Sequence, residues 1–244
     1  MLDIIEEQKF AELRKNCRDL GVPAPPEIHI CFEVVDNKGK LIFEDKQRGH
    51  SWTRNFYNWI LGCTSNVFGD DSGVFGAGHM SSKSENGAIC SSPTHSICTN
   101  GQWIALSALG LINNGETNTY AGIIVGTDDG AFGGDNYQLG AKVDVGLSSG
   151  QLSHLGQTYP IAQYDNTVGA EKWTVSHTRK FSNNSGETIT IKETGLLGYG
   201  KIFDSSDAGF LFERSCLSPT VPVPNDAKLT VSYDISMDFS AIDS

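Results

Sequence analysis

The stretch Ala227–Phe239, AKLTVSYDISMDF, decides the fold. Leu229, Val231, Tyr233, Ile235, Met237 and Phe239 alternate there with Thr230, Ser232, Asp234, Ser236 and Asp238. A strand has a side-chain period of two, so the first set faces a core and the second faces water. A 3.6-residue period would scatter the same apolar residues around a helix. The lead-in Pro219–Asp226, PTVPVPND, carries prolines that cannot donate to a ladder, and it reads as an edge segment closed by an Asn-Asp turn.

Such a strand needs a partner sheet, and the preceding sequence supplies one. Trp173, Val175, His177, Arg179 and Phe181 alternate with polar residues. Asn183–Gly186 is a hairpin turn, and Glu187–Thr194 returns. Ile202-Phe203 and Gly209–Arg214 follow. Tyr120–Gly126 is a nearly continuous apolar run of the kind buried on both faces. Antiparallel strands of this number with one wet face predict a β-sandwich over residues 102–244. Val231, Tyr233, Ile235 and Met237 are expected to be buried in it.

Upstream, Ile28–Val35 and Lys40–Glu44 flank the turn Asp36–Gly39, which predicts a hairpin. His50–Gly62 reads as a short helix with Ser51 as N-cap and Gly62 as stop. Its Trp52, Phe56, Trp59 and Ile60 share one face, expected to anchor in the core. Hairpin and helix together make a small unit at 27–62. In Leu2–Leu20 an apolar stripe of Leu2, Ile5, Phe10, Leu13, Cys17 and Leu20 has helical spacing. Gly21 and a Pro-rich linker to Pro26 end this first segment, 1–26. The stripe allows two readings: packing on its own domain, or docking on a neighbouring subunit.

Residues 63–101 break the pattern. Gly, Ser, Asn and Thr dominate, and a connection this long without structure of its own is uncommon. It reads as a polar insertion that is mobile in the free subunit and orders during assembly, bringing Cys63, Cys90 and Cys98 to an interface. The return to the core is expected at Trp103–Ile112. The six cysteines lack the density of a disulfide scaffold and the C-x2-C spacing of a zinc site. Free thiols are favoured, ahead of disulfides formed outside the cell.

The chain has 244 residues, 39% hydrophobic, with 27 glycines, which suits a loop-rich globular β protein. With 18 Lys+Arg against 29 Asp+Glu, the formal charge is −11. No basic run offsets this, so nucleic acid is not an expected partner. No apolar stretch is long enough to cross a bilayer, and the first residues lack the charged region, apolar core and cleavage site of a secretory signal, so synthesis in a cytoplasm is expected. The acidic Gly-rich turn Thr127–Tyr137 lacks the EF-hand spacing and no phosphate loop occurs, so no cofactor or metal is expected. No nucleophile elbow exists. Glu187 and Glu193, six apart in a strand, are too distant for a catalytic carboxylate pair. Catalysis is not expected.

YAGIIVGT (120–127), FSNNSGETITIKETGLLG (181–198), RSCLSPTVPVPN (214–225) and LTVSYDISM (229–237), with GHSWTRNFYNWI (49–60) upstream, resemble a family of uncharacterised virion proteins of tailed phages. The resemblance implies a non-enzymatic structural component of the neck, tail or capsid surface. It would be present in many copies, with further copies and other virion proteins as partners. It supplies no catalytic residues. The candidate interface residues are then Leu2, Ile5, Phe10, Leu13, Cys63, Cys90 and Cys98. The competing reading is a receptor- or glycan-binding module using Trp103, Tyr137, Tyr159 and Tyr164.

Overall fold

The computed structural model describes residues 2–22, 24–50, 52–65, 74–76, 81–90, 121–157, 161–168, 171–201 and 207–239. In chain order the elements are α1 (Leu2–Asp19), β1 (Glu27–Val35), β2 (Leu41–Arg48), α2 (Arg54–Ser65), β3 (Ser82–Lys83) and β4 (Ile89–Cys90). They continue with β5 (Gly122–Gly126), β6 (Ser153–Gln157), β7 (Ile161–Asp165), β8 (Lys172–Ser182), β9 (Ile189–Lys201), β10 (Asp207–Val223) and β11 (Lys228–Asp238). The protein is mainly β, and the pairings between these strands are antiparallel among the described residues.

The first sheet runs β2-β1-β11-β8-β6, with β7 also paired to β8. The stretch read first, β11, is therefore a central strand. Its register lines up rows of side chains across three strands: Val34–Leu229–Phe181, Phe32–Val231–Arg179, Ile30–Tyr233–His177 and Ile28–Ile235–Val175. Every member of these rows is buried. The opposite face carries Ser232 against Thr178 at 2.9 Å, and Ser176 donates to Asp234 at 2.6 Å. Alternation thus divides the strand as its period requires. Met237 departs from expectation and is half-buried. The β1 ladder ends at Ser236, so Met237 lies beyond it, opposite the partly exposed Trp173.

The second sheet runs β10-β9-β5 and places the Pro-containing strand β10 at its edge. Its Ile123, Val125, Ile191, Leu196, Phe210, Phe212, Val221 and Val223 join the first sheet's rows in one hydrophobic core. Its other face carries a smaller cluster, Ile124, Leu139, Leu197 and Leu211. That is why Gly122–Gly126 is buried throughout.

The hairpin β1–β2 is built into the first sheet through β1–β11 pairing, so it is an edge of that sheet. Its turn uses Gly39 at φ 80°, where a side chain would be strained. Helix α2 lies against β10. Trp52 stacks on Phe56 at 3.8 Å, and Trp59 meets Phe212 edge-on at 5.0 Å. These three are core residues, as their spacing predicts, but Ile60 is 41% exposed. Gly62 does not stop the helix, which continues to Ser65. Thr53, immediately before the helix, fixes its start: the hydroxyl donates to Leu211 O, while the carbonyl accepts from Phe56 N at 3.2 Å. Ser51 lies outside the described residues, as do Trp103–Ile112 and Ile202-Phe203.

Part of the polar insertion has structure of its own. The short ladder β3–β4 is clamped to α2 by Asn55, which donates to Lys83 O at 2.8 Å and accepts from Lys83 N at 2.9 Å. Asn58 donates to Ser81 O at 2.8 Å, and Glu85 N donates to Gly209 O at 2.9 Å. Ser81, Ser82 and Ser84 are buried there. Over residues 81–90 the expectation of a mobile tract is corrected: the folded body offers local partners that offset its ordering entropy.

Candidate interaction surface and buried charge

Helix α1 meets the body through charge. Glu7 accepts from Arg48 Nη2 at 3.0 Å and also pairs with Arg48 Nε. Arg48 Nη1 reaches Glu27 at 3.2 Å, and Arg14 Nη1 donates to both Glu27 oxygens at 2.7 and 2.8 Å. The result is a four-charge ladder, Glu7–Arg48–Glu27–Arg14, with the Arg48 guanidinium 4.2 Å from the Phe10 ring centre. Glu7, Phe10 and Arg14 follow one another at i, i+3 and i+7, one face of a helix. The hydrogen bonds from Arg48 hold the Glu7 carboxyl below the usual carboxylate range. Burial, with Arg48 and Lys46 adding repulsion, pushes His29 down.

With that face turned inward, Leu13 is 39% and Leu20 76% exposed. Of the candidate residues, Phe10 is half-buried under Arg48 and Leu13 faces water. Leu2 and Ile5 belong to α1, Cys63 to α2 and Cys90 to β4; their side chains, and Cys98 entirely, lie outside the described residues. Cys17, Cys31 and Cys216 are free thiols. Tyr137 is covered by Lys83, whose Nζ sits 3.7 Å from the ring centre, while Tyr164 is exposed. Trp103 and Tyr159 are outside the described residues.

The interior holds charges that the sequence does not announce. Glu193 is fully buried and accepts from Arg214 Nε at 2.7 Å, Gly140 N at 3.1 Å and Ala141 N at 2.8 Å. Arg214 also donates to Ala131 O at 3.1 Å and pairs with Asp128 at 3.4 Å. This clasp ties the acidic Gly-rich loop to the second sheet. A Cβ at Gly126 would lie 2.4 Å from Glu193 Oε1, so only glycine allows the approach. Asp129 pairs with Lys192 and Asp135 with Arg54, so the acids of that loop face cations. Glu187 is exposed and receives a hydrogen bond from Ser149, so it forms no pair with buried Glu193. Arg179 donates to Ala121 O and Ile123 O at 3.2 and 3.0 Å, joining β8 to the start of β5.

Glu213 lies at the centre of the core with no exposed surface. Burial pushes its carboxyl up to about 7. Tyr233 Oη donates to Glu213 Oε2 at 2.8 Å and lies 3.1 Å from Thr194 Oγ1, Ser215 donates to Glu213 Oε1, and Thr194 donates to Ile124 O at 2.9 Å. These hydrogen bonds favour the carboxylate, and burial outweighs them. His177 and His154 are also buried and are pushed down by burial to about 4 and about 3, so both rings are neutral in the fold. These groups are buried between the sheets.

An open cleft of about 400 Å3 lies between the β3–β4 ladder and Gln138–Lys142. Lys142 bridges its walls to Glu85 at 3.0 Å, and burial pushes the Glu85 carboxyl up. Compared with known protein families, curated proteins and solved structures, the chain matches none.

Proposed function

We propose that the chain is a non-enzymatic structural subunit of a tailed-phage virion. It would assemble in multiple copies at the neck, tail or capsid surface, on an antiparallel β-sandwich body made by the two sheets around their common core. Copies of itself and other virion proteins are its partners, and it is made in the host cytoplasm. The observation that carries this reading is the exposed apolar surface at Leu13 and Leu20 on the N-terminal helix segment. A terminal helix normally buries its apolar side and shows its charges to water. Here Glu7 and Arg14 pair with the body while Leu13, and Leu20 just past the helix end, are exposed, an arrangement suited to contact with another chain.

The test is quantitative mass spectrometry of particles purified from the phage, with sizing of the isolated protein and a glycan array alongside. The proposal expects the chain in the particle at a fixed multiple of a single-copy component, and no glycan signal. Absence from purified particles would overturn it, and saturable binding on the array would favour the receptor-binding alternative.

A further inference from the structure

Resting on the multi-copy reading, we infer that α1 of one copy docks on the β1–β2 hairpin of a neighbouring copy, exchanging places with the neighbour's own helix. The docking surface is Arg48 with Glu27, and the occupant that fits it is visible in the contact within one chain. Glu7 takes Arg48, Arg14 takes Glu27, and the Arg48 guanidinium lies over the Phe10 ring. These contacts run from side chain to side chain, and among the described residues no backbone hydrogen bond joins α1 to a sheet. An open groove of about 640 Å3 separates the helix from the hairpin, with Gln8 and Ala11 on one wall and His29 and Lys46 on the other. Complementary charge latches the helix, and close packing does not lock it.

The connection to the hairpin permits the exchange. Ala24 is buried, and Pro26 O accepts from Trp52 Nε1 at 3.2 Å, so the end of the linker stays with its own body. The chain from Leu20 to Ala24 spans at most about 14 Å when extended. A helix can therefore pivot onto a neighbour whose hairpin lies close to the hinge. Reciprocal exchange reproduces every contact of the ladder in a closed two-fold pair, the low-cost route to association that identical elements provide. A short linker holds the helix near its own body at an effective concentration on the order of millimolar. Dilute protein is therefore self-docked, and exchange competes once copies stand side by side in a particle.

Charge reversal in the full chain tests the exchange. One variant carries Glu7→Arg with Arg14→Glu, and a second carries Arg48→Glu with Glu27→Arg. In each alone, helix and hairpin oppose like charges, and each should sediment as a monomer. Mixed in equal amounts, they match both ladders only by exchange, so a heterodimer should form. Arg48 and Glu27 are nearly buried, so a second pair of variants leaves the ladder intact. Ala11→Cys in one chain and Lys46→Cys in another, on opposite walls of the groove, are mixed at about 1 mM and joined by a bifunctional maleimide that spans it. Cross-linked heterodimers should exceed the dimers of either variant alone. The first mixture decides if both reversed chains keep the wild-type circular dichroism, and the second decides otherwise. A deciding mixture that stays monomeric, or cross-links no more than its separate components, would overturn the exchange. That result with the chain present in particles rejects the exchange alone, whereas heterodimers with the chain absent from particles reject the virion reading alone.

Discussion

Two sets of Arg–Glu contacts divide the work in this molecule. Between Glu193 and Arg214 both side chains are almost wholly buried; in the α1 ladder, Glu7 is 48% and Arg14 28% exposed. The interior pair satisfies each Glu193 oxygen with a backbone N–H, and Arg214 Nε adds a further bond to Oε2, so it fixes a loop at one position. Removing one partner there strands a charge away from water. Arg48 and Glu27 are nearly buried, at 3% and 11%, but the helix side of the ladder, Glu7 and Arg14, reaches the surface, where salt screens it and each pair contributes little. The same residue types therefore make a permanent joint in one place and an adjustable one in the other.

The comparison breaks most visibly where no charge belongs. Val231 sits in the middle of the central strand at 0% exposure, and Val231→Asp should cost about 4 kcal/mol or more, read as loss of the cooperative thermal transition. Arg214→Met should follow at about 3–5 kcal/mol by urea unfolding, because Glu193 then stays buried without its cation. A cost below about 1 kcal/mol would place the joint among the adjustable contacts.

Glu213 sharpens the comparison by pH. Its folded value of about 7 lies above the unfolded 4.5, so the protonated form favours the fold. That contribution is full below about pH 4.5 and is lost as pH rises through 7, amounting to roughly 3 kcal/mol. Glu213→Gln keeps an acceptor for Tyr233, has no titrating proton and should abolish the decline. Histidines 177 and 154 act in the opposite sense: their depressed values contribute stability above pH 6.5 that is lost as pH falls toward 4 and then 3. Since the two trends overlap, the difference between wild type and Glu213→Gln across pH 4–8 is the quantity to measure. A constant difference would contradict the raised Glu213 carboxyl.

The first sheet was legible because β11 and β8 both alternate, and alternation determines the face of every residue at once. It even placed His177 and Arg179 on the inner side, although their chemistry suggests the outer one. The Glu193 clasp was not legible: its backbone donors Gly140 and Ala141 lie more than fifty positions away in a loop without periodicity. The ordered part of the insertion escaped notice because β3 and β4 are two residues each. The available signal was Asn55 and Asn58, two amides three apart among the aromatic residues Phe56, Tyr57 and Trp59. For α1, spacing shows which residues share a side, but not which side the body takes. That choice rests with Glu27 and Arg48, which belong to the hairpin.

The most direct measurement is hydrogen exchange of the intact protein at about 0.05 and 1 M salt. The α1 amides should lose protection as salt screens the ladder, by a factor of a few, corresponding to about 1 kcal/mol. The amides of Gly140 and Ala141, bonded to buried Glu193, should keep theirs. Equal loss at both places, or an α1 indifferent to salt, would contradict the division between the permanent joint and the adjustable one.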